Sequence, residues 1–217
     1  MQADEIEINV EEDIKSKRVQ FFFKRAFDLV FSAVGLILLS IVFILIAIWI
    51  KMDSKGPAIF KQIRVGKNGE NFTIYKFRTM VVDAEKKHEL NIDPNNLENF
   101  VFQSRSDSRV TKSGAFLRKT SLDEIPQLFN VLLGNMSLVG PRPEIPDVVK
   151  LYPKAYRQRL LVTPGITGLA QVSGRGEIEL GKTVYYDLTY IKKFSLLMDV
   201  KILFKTIFSV FKSEGAF

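Results

Sequence analysis

Asp123 and Glu124 stand side by side in the segment Phe116-Leu117-Arg118-Lys119-Thr120-Ser121-Leu122-Asp123-Glu124-Ile125-Pro126-Gln127-Leu128-Phe129-Asn130. Apolar residues at 122, 125, 128, 129 and 132 recur at helical spacing, so the segment predicts a helix. Ser121 and Glu124 fit an S-x-x-E capping box, but that frame puts Pro126 at the fifth helical position, where an N–H donor is required. With Asp123 as the N-cap, Pro126 falls at the third position and no donor is missed. That frame is preferred. It sets the Asp123 carboxylate at the positive end of a helix dipole, close in sequence to Arg118 and Lys119, and both effects favour the ionised form. An ionised Asp beside cations can be a cap, a salt-bridge partner, a metal ligand or a nucleophile toward phosphorus. The segment alone leaves all four open.

Two further segments bear on the choice. In Gly140-Pro141-Arg142-Pro143-Glu144 an Arg lies between two prolines. Pro143 pushes Arg142 into an extended conformation and Pro141 stiffens its approach. A guanidinium fork fixed in this way suits bidentate binding of a phosphate or carboxylate, or it is the exposed Arg of a rigid turn. The stretch Thr163-Pro164-Gly165-Ile166-Thr167-Gly168-Leu169-Ala170-Gln171-Val172-Ser173-Gly174-Arg175-Gly176 is a glycine-rich loop ending on another Arg. Such loops let backbone N–H groups approach phosphate oxygens. It matches neither a Walker A loop nor a dinucleotide G-x-G-x-x-G, so its weight is small.

The elements that must position these residues follow from the rest of the chain. Its 217 residues fit one globular domain plus an anchor. A net charge of +7 points to anionic partners such as lipid head groups, phosphorylated substrates or nucleic acid. With no Cys, a disulfide framework and thiol chemistry are excluded. The lone His88 lies in a polar stretch and reads as a solvated side chain, which argues against a His-based metal site.

Residues 1–19 read as a flexible polar tail, acidic at its start, with room for a short helix at its end. The uncharged apolar run Leu29 to Ile50 follows; as a helix its 22 positions span roughly 33 Å, enough to cross a bilayer core. Lys24 and Arg25 precede the run, while Lys51, Lys55, Lys61 and Arg64 follow it. Basic residues on both flanks fit poorly with one end translocated. They favour a helix that dips in and returns, bending between Gly35 and Ser40. After Gly56-Pro57, the stretches Ala58 to Val65 and Phe72 to Phe77 flank Lys67-Asn68-Gly69-Glu70, a hairpin signal. Leu196 to Lys212 reads as a helix with Lys201, Lys205 and Lys212 on one stripe and apolar residues over much of the remainder. It suits a membrane interface or the core equally well.

Together these pieces resemble the bacterial sugar transferase family, the small monotopic phosphoglycosyl transferases. The matching residues are Lys24-Arg25-Ala26-Phe27-Asp28, Gly56-Pro57, Phe60-Lys61-Gln62-Ile63-Arg64-Val65-Gly66, Tyr75-Lys76-Phe77-Arg78-Thr79-Met80 and Asp107-Ser108-Arg109-Val110-Thr111. The Leu117 to Asn130 segment, Met136-Ser137-Leu138-Val139-Gly140-Pro141-Arg142-Pro143, the Pro164 to Gly174 loop and Tyr186-Asp187 complete the collinear set, over roughly residues 20 to 212. In the family the re-entrant helix breaks at a Ser-Pro pair; here Ser40 is followed by Ile41. The chain resembles the minimal catalytic form, without the extra N-terminal helices and domain of the long members.

The resemblance implies a two-step exchange. A carboxylate attacks the β-phosphate of a UDP-sugar and releases UMP, and a polyprenyl (undecaprenyl) phosphate then takes up the phosphosugar. Carried onto this sequence, Asp123 is the nucleophile and Glu124 assists it. Both are candidate ligands of Mg2+, which offsets diphosphate charge and needs few protein carboxylates. Arg142 is the foremost candidate phosphate clamp, with Arg118 and Arg175 behind it. The fold expected is α+β: a mainly helical catalytic domain (56–217) with a small β-hairpin, anchored by an N-terminal re-entrant membrane helix (20–55) and amphipathic interfacial helices. The cytoplasmic face of the inner membrane is the expected location; no nucleic-acid partner is expected, and a homodimer is compatible with the sequence. Two rivals explain parts of the pattern. A glycosyltransferase that passes the sugar alone would release UDP, and a basic membrane adaptor would leave the Asp-Glu pair and Pro-Arg-Pro without purpose.

Overall fold

The apolar run forms two helices, α2 (Arg18–Leu38) and α3 (Ser40–Asp53), that meet at a 61° bend. In the computed structural model, residues 10–84, 93–101, 107–174 and 178–212 are described; His88 lies outside them. The break falls at Leu39, inside the expected window, and it needs no proline. Ser40 turns its hydroxyl back onto the Ile37 carbonyl at 2.8 Å, a local bond that competes with the helical ladder. Among the described residues no single helix is long and apolar enough to cross a membrane, but the bent pair is so by length and composition together.

Both ends of the pair are fastened to the body of the domain. On α2, Lys24 pairs with Asp199 at 2.5 Å, and Asp28 accepts hydrogen bonds from the Ser137 hydroxyl (2.7 Å) and the Leu138 N–H (3.1 Å). Arg25 donates to the carbonyls of Val131 and Leu132. At the far end of α3, Arg78 donates to the carbonyls of Ser54 (2.7 Å) and Lys55 (2.9 Å), and Asp53 accepts from the N–H and hydroxyl of Ser113. These charges and amides find partners as they leave water, as buried polar groups must.

The hairpin forms as the Asn-Gly signal predicts. Strands β1 (Ile59–Val65) and β2 (Asn71–Phe77) pair antiparallel, from Ile59 opposite Phe77 to Val65 opposite Asn71. The turn between them holds Asn68 (φ 57°) and Gly69 (φ 81°) in the left-handed region those residues tolerate. A second sheet was not foreseen: β3 (Ser137–Val139) runs parallel to β4 (Gly165–Thr167). As far as Gly174, the glycine-rich stretch is therefore part strand and part short helix, α8 (Leu169–Gly174), rather than an open phosphate loop. A Cβ on Gly165 would lie 2.1 Å from the Gly140 nitrogen, so the glycine lets two backbones touch. The Gly165 N–H is bonded to the Pro141 carbonyl and the Gly140 N–H to that of Thr167. These donors serve the sheet.

The remaining helices are α1 (Val10–Ser16), α4 (Lys112–Lys119), α5 (Gln127–Leu133), α6 (Pro146–Lys150), α7 (Lys154–Arg157), α9 (Leu180–Lys193) and α10 (Leu196–Lys212). The main core gathers on α9, where Leu180, Val184, Leu188 and Ile191 meet Val139, Val148 and Val149. A second cluster of Ile46, Ile50, Phe77 and Leu117 joins α3 to the hairpin and α4, and a third of Phe72, Ile74, Val131 and Met136 joins the hairpin to α5. Helix α10 divides its two expected roles. Ile202 is buried in the main core, while Leu197, Phe204, Ile207 and Phe208 are exposed. The architecture is mainly helical with small sheets.

Candidate active site

Asp123 and Glu124 lie on a single 3₁₀ turn, Leu122–Glu124, rather than in the first turn of an α-helix. Helix α5 starts one step later, with Pro126 as its N-cap, so the expected capping role of Asp123 is corrected. The reason is local. Ser121 takes up a left-handed conformation (φ 55°) that ends the α4 path and redirects the chain. In a 3₁₀ turn positions i and i+3 eclipse, so Leu122 and Ile125 share one side and pack on the cluster formed by α3 and Phe77. The two carboxylates between them are left to face elsewhere.

Glu124 is held by two cations. Its Oε1 accepts from Lys76 Nζ and from Arg142 Nη2, each at 2.9 Å. The side chains of Glu124 and Lys76 are only 19% and 17% exposed, against 37% for Arg142. Burial opposes the Glu124 charge, but Arg142 and Lys76 outweigh it and hold the carboxyl well below the ordinary range. Burial likewise lowers Lys76, against the pull of Glu124.

Each cation is delivered by a different element. Lys76 comes from β2, where Phe72, Ile74 and Lys76 share one face by strand alternation. Asn130 sets the edge of that strand: its Oδ1 accepts from the Tyr75 N–H (3.0 Å) and its Nδ2 donates to the Thr73 carbonyl (2.7 Å). The same residue thereby fixes α5, and the turn before it, against β2. Arg142 sits between its prolines, and its carbonyl accepts from the buried Arg159 at 2.9 Å. Arg159 is itself gripped by Asp187 (2.8 Å) and the Tyr152 hydroxyl (2.7 Å). The Val65 N–H bonds to the Glu144 carbonyl at 2.8 Å, which ties this corner to the hairpin.

Asp123 differs from its neighbour. It is partly exposed, and among the described residues no hydrogen-bond donor reaches it. Burial and the adjacent Glu124 charge oppose its ionisation, while Lys76, Arg142 and Arg118 favour it; the balance pushes its carboxyl up to about 6. The helix dipole expected behind Asp123 would push it the other way, but the 3₁₀ turn puts no α-helix N-terminus there and burial raises the carboxyl. Arg118 is near enough for its charge to bear on Asp123, and its Nε donates to the Thr79 hydroxyl at 3.0 Å. Arg142 and Arg118 are thus brought to the carboxylates; Arg175 lies outside the described residues.

Lys76 was not singled out by sequence reasoning. Its signal was a Lys on the apolar face of a strand, a costly placement that needs a buried partner. Asp187 and Arg159 left no such local trace, since they meet only through the tertiary fold. For a metal, no group of three or more His, Asp or Glu occurs among the described residues. Asp123 and the second oxygen of Glu124 offer two hard donors. That set fits Mg2+, which takes one or two carboxylates and completes its shell with phosphate and water.

The site is thus an acid pair with three cations about it, on a domain stitched to a bent apolar helix pair. The sequence profile of the bacterial sugar transferases matches residues 19–213, and the chain belongs to that family. It is 44% identical to the undecaprenyl-phosphate galactose phosphotransferase of Salmonella typhimurium, over 93% of this chain and 43% of that protein. Against the UDP-glucose:undecaprenyl-phosphate glucose-1-phosphate transferase of Klebsiella pneumoniae it is 42% identical, over 92% and 42%. Against exopolysaccharide production protein ExoY of Rhizobium meliloti it is 40% identical, over 89% and 88%. The chain therefore spans less than half the length of the first two relatives and most of the third.

Proposed function

We propose that this protein transfers a sugar 1-phosphate from a UDP-sugar to undecaprenyl phosphate, releasing UMP, as the first membrane step of surface polysaccharide synthesis. The observation that carries the reading is Asp123: a partly exposed carboxylate that no hydrogen-bond donor among the described residues reaches, set among Lys76, Arg142 and Arg118. An Asp oxygen forms a bond to the β-phosphorus, the bridging P–O bond breaks, and UMP leaves with that electron pair. An oxygen of the lipid phosphate then attacks the same phosphorus and expels Asp123 as the free carboxylate. The acyl phosphate divides one displacement between two bulky anions into two easier steps. Arg142 and Lys76 supply positive charge where the transferring group gathers it, and Glu124 holds both in place. Mg2+ held by Asp123 and Glu124 would offset diphosphate charge when bound.

The same fold supports a location on the cytoplasmic face of the inner membrane, with residues 20–55 dipping into one leaflet. Both ends of the bent pair are tied to one folded body, so both lie on the side that the body occupies. The relatives' names support undecaprenyl phosphate as acceptor, and galactose or glucose as the sugar.

The test is single-turnover assay with UDP-sugar and Mg2+ in the absence of lipid. UMP release and a phosphosugar adduct on Asp123, mapped by mass spectrometry, are expected. Asp123→Asn should fold and bind membrane with no adduct, and EDTA should suppress release reversibly. Release of UDP instead of UMP would establish glycosyl transfer, and an adduct on another residue would overturn the assignment of Asp123.

A further inference from the structure

An apolar groove of about 430 Å³ opens beside the carboxylate turn, within the size range of sites for organic ligands. Phe43 of α3 forms one wall, Ile59 and Tyr75 of the hairpin the floor, and Pro126, Phe129 and Leu133 the opposite wall. No charged side chain lines it. Phe129 and Leu133 remain 44% and 66% exposed although they sit on a helix whose other face is core. Exposed apolar surface collected in a concave site marks a binding function rather than packing.

The position of the groove limits what can fill it. One wall belongs to the bent pair just past its break, so the groove is open to the apolar phase into which that pair inserts. Its other limit is the catalytic turn: Pro126 is two residues beyond Glu124, and Tyr75 adjoins Lys76. Tyr75 and Lys76 point to opposite faces of β2, so groove and carboxylates lie on either side of one strand. Lys61 adds a cation at the rim, with its Nζ 5.8 Å from the Tyr75 ring centre. A ligand for this site has a long hydrocarbon part and an anionic end.

We propose that the groove binds the isoprenoid chain of the polyprenyl phosphate acceptor and delivers its phosphate around the β2 edge to the Leu122–Glu124 turn. The inference rests on the function proposed above, and it adds the site by which the second substrate is recognised. The chain leaves the bilayer along Phe43 and lies over Phe129 and Leu133. The head group meets Lys61 and then the cations around Asp123. Recognition of the chain by shape and apolar contact explains how a lipid present at low density is chosen over bulk phospholipid, whose bulky two-chain body fits a narrow groove poorly.

A photoreactive polyprenyl phosphate with a diazirine in its proximal isoprene units tests this on the full protein in phospholipid nanodiscs. Adducts are expected on Phe43, Phe129 and Leu133, abolished by unlabelled polyprenyl phosphate and unaffected by tenfold more phospholipid. Adducts elsewhere, or equal competition by phospholipid, would overturn the groove. Since Phe129 and Leu133 are exposed, Phe129→Ala/Leu133→Gln should fold. The double variant should raise KM for the long-chain acceptor at least tenfold and leave KM for the UDP-sugar within twofold. A proportional loss with both substrates would also overturn it. Crosslinking does not depend on turnover, so labelled groove residues in an enzyme that releases no UMP would sink the transfer reaction and leave the lipid site standing.

Discussion

At the scale of single residues, the fold gives two adjacent carboxylates different surroundings, and the proposed reaction assigns them different tasks. Glu124 takes two cationic partners and stays ionised, whereas among the described residues no donor reaches Asp123. Environments that push neighbouring acids apart in this way are how roles are assigned in catalysis. Arg142 joins the two, since its guanidinium holds Glu124 through one nitrogen and has others to offer a phosphate. Arg142→Lys keeps the charge but loses the planar fork. The expected cost is tenfold or more in turnover, or about 1.4 kcal/mol of barrier, with the protein folded and membrane-bound. Near wild-type UMP release in steady-state assay would reduce Arg142 to a turn residue.

At the scale of elements, the carboxylate turn is placed by what brackets it. Helix α4 leads in and lies hard against the end of the hairpin: a Cβ on Gly114 would come within 2.0 Å of the Thr79 carbonyl oxygen. Thr111 caps that helix, accepting from the Gly114 N–H at 3.0 Å, and Arg118 reaches back to the Thr79 hydroxyl. The close approach therefore sets where Arg118 stands. Gly114→Ala must move backbone against backbone, which costs about 1–3 kcal/mol as overpacking does. A lower midpoint in thermal unfolding is expected, and turnover at permissive temperature should fall as Arg118 shifts. Unchanged stability would mean that α4 slides freely over the hairpin, against the contacts described. Helix α5 brackets the other side, with Asn130 clamped to β2 by two hydrogen bonds.

At the scale of the whole molecule, the bent helix pair belongs to the folded body rather than hanging from it. Its first helix is tied through Lys24 and Asp28 and its second through Asp53 and the Arg78 bonds. Spanning the bilayer would pull one set of these bonds to the far side. In intact cells, single cysteines placed before Lys24 and after Lys201 should both be shielded from a membrane-impermeant maleimide and both react after permeabilisation. Labelling of either position from outside would sink the re-entrant topology. Exposed apolar residues of α10 face solvent in the protein alone, and contact with the bilayer surface would cover them.

The sequence by itself determined what depends on neighbours in the chain. Asn68-Gly69 specified the hairpin because such residues settle readily in left-handed turns, and the charge-free run from Leu29 to Ile50 marked the apolar helix pair because hydropathy is additive along a helix. The acid pair and the Pro-Arg-Pro corner were legible for the same reason, since their chemistry and stiffness are local. Tertiary structure decided the rest. It turned Asp123 from an expected helix cap into a residue of a short 3₁₀ turn, because Leu122 and Ile125 sought the α3 cluster. It raised the Asp123 carboxyl instead of lowering it, because burial depends on every element that surrounds a group. It drew Gly165–Thr167 of the glycine-rich stretch into a sheet, and it brought Lys76, 48 residues away in sequence, to Glu124. Desolvation and pairing across long separations are set by the packed fold, so no local pattern of residues could have announced them.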